Sequence, residues 1–147
     1  MSLDIGDLLI QSVPFARTLG ITFDSAADGR AVSRLPDRPD LHNHVGGPHA
    51  GALFTLAEAA SGAAMLTAFG DQLSRAVPLV AASTVRYLKP AKGEIVASAR
   101  LLASRDEVVP RLDAGERPEF DVEVEVRNEE GTPVATLTFS WTLLPSG

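Results

Sequence analysis

The sequence predicts an α+β domain in which a curved, mostly antiparallel sheet wraps one long central helix. Three observations carry this. Residues 50–70 are rich in Ala, Leu and Met, contain no proline and close on a glycine, so they read as a helix. That helix is apolar on nearly every side, which places it inside the fold. The stretches 120–127 and 135–143 alternate apolar and polar residues with the period of half-buried strands. A helix without a polar face needs a sheet that curls around it.

The elements follow in order. Leu3, Ile5, Leu8 and Leu9 suit a short amphipathic helix, which Pro14 ends or kinks. Residues 20–23 and 30–35 flank Ala27-Asp28-Gly29 and read as a hairpin with a glycine-bearing turn. Pro36 and Pro39 make residues 35–41 irregular, and Gly46, Gly47 and Pro48 mark a sharp loop before the helix. After a polar loop, 71–75, a strand is expected over 77–89. A turn at 90–93 then returns the chain as a second strand, 94–102. Residues 104–118 carry Pro110, Gly115 and Pro118 and read as a wide, charged connection that leaves room for a helical turn. The last two strands are joined by a hairpin loop, 128–133.

Composition bounds the function. With 147 residues, 45% of them hydrophobic and 22% charged, the chain reads as one globular domain, 1–147, rather than a disordered segment. A net charge of −6 disfavours general nucleic-acid binding. There is no cysteine, hence no disulfide, no thiolate nucleophile and no cysteine zinc site. The first residues are acidic where a signal peptide would be basic, so a cytoplasmic location is expected. Residues 50–69 are nearly long enough to span a bilayer, but Thr55, Glu58, Ser61 and Thr67 and the lack of basic flanks argue against it. His42, His44 and His49 lie close together without a helical pair or a carboxylate set, so no metal is expected.

Glu58 is the one ionisable residue between Ala50 and Gly70. Burying a carboxylate is costly unless it is paired or used, so Glu58 is the first candidate for chemistry. It belongs to a spaced set: Asn43 six residues before His49, Gly46 three before it, the run His49-Ala50-Gly51, and Glu58 nine after it. This spacing, with the element order, resembles the hotdog-fold acyl-CoA thioesterases, in the branch of the phenylacetate-pathway and 4-hydroxybenzoyl-CoA enzymes. Two positions depart from that pattern. Ala50 replaces a glycine, and Glu58 stands where many members have Asp.

The resemblance implies hydrolysis of a thioester to a carboxylic acid and free coenzyme A, no cofactor beyond the coenzyme A of the substrate, and sites at a dimer interface. Such a reaction needs a base or nucleophile and donors for the oxyanion. Helix N-termini present unpaired N–H groups, here those of Ala50 and Gly51. Glu58 would activate water or attack directly, and apolar surroundings would raise its pKa. Glu58 lies seven residues beyond Gly51, about 10 Å at ~1.5 Å per residue. That distance favours a homodimer, possible as a dimer of dimers, in which one helix start meets the partner's carboxylate.

Simpler roles stand beside these. Glu58 pairs with an arginine, or it reacts. Asn43 caps its loop, or it orients the carboxylate or water. His49 bonds backbone at the helix start, or it acts directly. Gly46 and Gly47 serve the turn alone, or they let substrate approach. Ser83 and Thr84 lie where some members place a hydroxyl beside the water. Arg86, Lys89 and Lys92, with Arg75, meet coenzyme A phosphates or form a solvated basic edge. A non-catalytic acyl-CoA or acyl-carrier binder is the alternative function, with a hydratase or dehydratase behind it.

Overall fold

The computed structural model describes residues 4–146, so Leu3 of the first apolar run lies outside the described residues. Asp4 caps α1 (Ile5–Ser12) by accepting the Asp7 N–H at 3.1 Å. Pro14 ends this helix and opens another, α2 (Pro14–Thr18), from its first position, where its missing N–H costs nothing. The hairpin β1 (Thr22–Ala27) and β2 (Arg30–Leu35) closes through Asp28 at φ 55° and Gly29 at φ 77°, the left-handed pair that matches strand twist. The Gly29 N–H donates to Thr67 Oγ1 at 2.7 Å, which ties this turn to the central helix.

That helix, α3, runs Ala50–Phe69 with Gly70 as its C-cap. The strands β3 (Ala76–Tyr87), β4 (Ile95–Leu101), β5 (Glu119–Arg127) and β6 (Pro133–Pro145) complete one six-stranded sheet in the order β1-β2-β4-β5-β6-β3, every pair antiparallel. The sheet wrapped on a central helix is the hotdog fold, as expected. The 104–118 connection holds a full helix, α4 (Arg105–Asp113), which Ser104 caps and which buries Val108 and Leu112.

One expectation fails. The chain does not return from β3 into an adjacent β4: β3 pairs with β6, while β4 sits between β2 and β5. Residues 88–94 are too many for a tight hairpin, and they cross the ends of two strands, about 14 Å at ~4.8 Å per strand spacing.

The helix packs chiefly on β2, β4 and β5. Between it and the sheet lie Leu53, Leu56, Met65, Phe69, Val122 and Phe139, all buried. Trp141 is anchored by donating to Ser61 Oγ at 3.0 Å, and Ser61 donates in turn to the Glu58 carbonyl at 2.7 Å. The apolar span through Gln72 is long enough to cross a membrane, but 67% of it is buried inside the domain, as suits a core helix. It covers β3 little, so that strand is exposed along most of its length, and among the described residues its outer edge is unpaired.

Candidate active site

The loop before α3 is built around Asn43. Its Oδ1 accepts the N–H groups of Val45 at 2.9 Å and Gly47 at 3.2 Å, its Nδ2 donates to the Pro48 carbonyl at 3.4 Å, and its own N–H donates to the Gly47 carbonyl at 2.7 Å. Within the chain, Asn43 therefore serves the loop. Gly46 supplies a φ of 80°. Gly47 is needed for a different reason: a Cβ there would sit 2.2 Å from the Ala91 carbonyl oxygen. The glycines thus press the helix-start loop against the 90–93 turn.

His49 is the N-cap of α3, and its Nδ1 accepts the Gly51 N–H at 2.8 Å. The Ala52 and Leu53 N–H groups go to the His49 carbonyl at 2.9 and 3.0 Å. Among the described residues only the Ala50 N–H of this first turn has no acceptor. Of the two N–H groups expected as oxyanion donors, that of Gly51 is thus spent within the chain and that of Ala50 is left open. An orphan helix-start N–H takes the nearest acceptor, and His49 holds the position where a Ser or Asp usually offers one. Because Nδ1 accepts, the ring proton of the neutral imidazole lies on Nε2. His49 thus still has one donor to offer.

Tyr87, at the end of β3, completes the helix start by donating its hydroxyl to the Ala50 carbonyl at 3.1 Å. Partial burial pushes its pKa up. The sequence reading missed this residue; its signal was an aromatic at the end of the strand after the helix. Beside these groups lies an open groove of about 660 Å³, lined by Phe15, Leu19, Leu41, His49, Phe54 and Tyr87 among others.

Glu58 lies mid-helix, half-buried, and among the described residues its carboxyl has no hydrogen-bond or ion-pair partner. Desolvation alone pushes its pKa above the ordinary value. Among the described residues no arginine pairs with Glu58. Glu58 does not line the groove at its own helix start, in keeping with a separation of about 10 Å along the axis.

The strand residues divide by face. Ser83 pairs with Phe139 and Val85 with Leu137, both core positions, so Ser83 points to the helix side. Thr84 pairs with Thr138 and Arg86 with Thr136, and both line a cleft of about 740 Å³ with Arg30, Arg100 and Glu123 on the opposite face. Thr84 and Arg86 therefore do not meet the start of α3. A bulge between Val80 and Ala82 shifts the register, so counting by twos along the sequence could not choose between Ser83 and Thr84. Arg75 also leaves the set: it pairs with Asp113 and Gln72, each at 2.7 Å, near the other end of α3. Lys89 and Lys92 stay close, flanking the Ala91 carbonyl that would crowd a side chain at Gly47. Among the described residues no cluster of His, Asp and Glu is arranged to hold a metal.

Comparison with known proteins bears on the same question. The sequence matches, over residues 5–143, the family described as a domain of unknown function, DUF4442. A Halobacterium salinarum protein provisionally named an esterase is 32% identical over 87 residues, a match covering 57% of each chain, little more than half of that relative. A Pseudomonas aeruginosa protein of unknown function, described as a probable thioesterase, has a crystal structure 31% identical in sequence with a TM-score of 0.83, over 97% of this chain and 94% of that one. The Escherichia coli PaaI protein of the phenylacetic acid degradation operon shares the fold at 20% identity and a TM-score of 0.74, over 94% and 89% of the two chains. With the wrapped helix and the family match in hand, the chain belongs to the DUF4442 family, within the hotdog thioesterase superfamily and its uncharacterised members.

Proposed function

We propose that the protein hydrolyses acyl-CoA thioesters to a carboxylic acid and free coenzyme A. The observation that carries this is Glu58, an unpaired carboxyl held half-buried in an otherwise apolar helix with its pKa raised. The thioesterase descriptions of structural relatives support the same reading. In the reaction a water adds to the thioester carbon and gives a proton to Glu58. The carbon–sulfur bond then breaks, and the thiolate leaves and regains a proton. The Ala50 N–H and the Nε2–H of His49 face the developing oxyanion or the leaving sulfur, and the Gly51 N–H joins them if His49 turns away. Glu58 can also attack the carbon directly; the two routes share the same carboxylate. Ser83 stands on the helix side of β3, within the region where a hydroxyl assists the water. Lys89 and Lys92 receive the coenzyme A phosphates. No cofactor enters, and the expected setting is cytoplasmic.

Each site draws on two copies. The free edge of β3 carries Val77, Leu79, Val80 and Val85, each at least 37% exposed, which is the surface a second copy would cover by strand pairing. A two-fold dimer formed there sets one helix start against the other chain's Glu58, and two dimers can pair again. The test is thiol release from a panel of acyl-CoAs. Glu58→Gln keeps the shape and removes the base, so turnover falls at least ~10²-fold while the circular dichroism spectrum is unchanged. A fully active Gln variant refutes the assignment, and binding without turnover by the native protein identifies a carrier instead.

A further inference from the structure

We infer that the groove beside the start of α3 takes an uncharged, apolar acyl chain, and that Phe15 sets this preference. The inference rests on the hydrolase reading above and narrows it to a substrate class. The groove holds about 660 Å³, with apolar walls from Phe15, Leu19, Leu41, Ala52 and Phe54. Phe54 is fixed edge-on against Phe139, with ring centroids 5.3 Å apart. Phe15 differs from the others. It is 58% exposed and takes no part in the hydrophobic core, an unusual place for a benzyl group unless something covers it.

The polar groups of the lining decide the chemistry, because nearly all are already satisfied. Asp40 is paired with Arg38 at 2.8 Å and His42 with Asp37 at 2.7 Å. The Thr55 hydroxyl donates to the Gly51 carbonyl at 2.9 Å, and the Tyr87 hydroxyl to the Ala50 carbonyl at 3.1 Å. The Gly51 N–H and His49 Nδ1 satisfy each other at 2.8 Å. What remains unspent along the groove is the second nitrogen of His49, with the neighbouring Ala50 N–H at the helix start where the thioester carbonyl is placed, and Nδ1 of His42, which in the neutral ring is an acceptor because Nε2–H serves Asp37. A carboxylate at the far end of the acyl group would lose its water, find no donor along the walls and lie near the ionised Asp40. A methyl-ended chain loses nothing and covers Phe15.

The experiment uses the full chain and two series of substrates, straight-chain acyl-CoAs of increasing length and ω-carboxyl acyl-CoAs of matching length. The expected result is a kcat/KM that climbs about fourfold per added methylene until the groove is filled, with each ω-carboxyl substrate at least about tenfold below its methyl-ended counterpart. Phe15→Arg should flatten the length dependence and narrow the gap to the ω-carboxyl series. Leu102→Arg, a similar change at an exposed leucine outside the groove, should do neither. Turnover that ignores chain length, or a Phe15→Arg enzyme with the native preference, overturns the proposal and leaves the hydrolase reading standing. If no acyl-CoA is turned over, that reading fails, and calorimetric binding of the same acyl-CoAs to the native and Phe15→Arg proteins decides the groove. Affinity that rises with chain length and is lost in Phe15→Arg upholds it; affinity equal to that of free coenzyme A overturns it.

Discussion

In the proposed reaction Glu58 trades stability for reactivity. Its pKa is raised by desolvation, so the folded state binds a proton more tightly than the unfolded chain does. Stability from this group is therefore greatest below the unfolded-state pKa and falls as pH rises through the folded one. Glu58→Gln removes the ionisation, so the variant should melt above the native protein at neutral pH. The difference should close as the pH is lowered toward the ordinary carboxylate range; thermal melts across that range check it. An equal Tm at neutral pH would mean that the carboxylate is compensated in the assembled protein. The same raised pKa gives the rate its direction: kcat/KM should rise with pH through a value above the ordinary glutamate range, because the base must be ionised. His49 is the second residue whose role is legible in one bond. Its Nδ1 caps α3, so His49→Ala should cost about 1 kcal/mol in denaturant unfolding, and His49→Asn should recover part of it.

At the level of elements, the site depends on how the 43–49 loop and the 90–93 turn press together. Gly47→Ala forces a methyl toward the Ala91 oxygen, where only 2.2 Å is open, so one backbone must move. The expected cost is about 1–3 kcal/mol, with KM and kcat both worsened because the start of α3 shifts with the loop. An unaltered melting curve would show that the two segments are not held together. The strand β3 is the other sensitive element. It is exposed on both faces, and its free edge is apolar. Val80→Lys puts a charge on that edge and should shift the protein toward monomer in sedimentation.

The whole molecule makes the sharpest demand. A thioester held at one helix start lies about 10 Å along the axis from that helix's own Glu58. Two defective variants should therefore complement each other: Glu58→Ala lacks the base, and Gly51→Val crowds the helix start, where an added Cβ would lie 3.1 Å from His49 Nδ1. Each alone should be nearly inactive. After subunit exchange, about half the dimers are mixed, and each mixed dimer has one intact site, so roughly a quarter of native activity should return. Activity that stays at the parental level, with exchange confirmed by mass spectrometry, would place both groups in one chain. A stable, fully active monomer of 15.5 kDa would exclude sharing altogether.

The sequence by itself determined the central helix to within a residue, the Asp28-Gly29 hairpin turn, the alternating faces of β5 and β6, and the isolation of Glu58. All of these are local: helix period, strand period, left-handed turn residues and a charge without neighbours in sequence. Only the tertiary structure decided which strands meet. The pairing of β3 with β6 depends on the reach of residues 88–94 across the sheet, which no periodicity records. The bulge at Val80/Ala82 chose Ser83 over Thr84 for the helix side and sent Arg86 to the opposite face. Arg75 was lost to Asp113, a partner distant in sequence. The arrival of Tyr87 at Ala50 belongs to the same class, whereas the bond from the Gly51 N–H to His49, two residues apart, is the local backbone role that the sequence already offered. Hydrogen bonds at a helix start go to whatever acceptor the fold brings near, and residues 37 apart become neighbours only when a sheet closes around a helix.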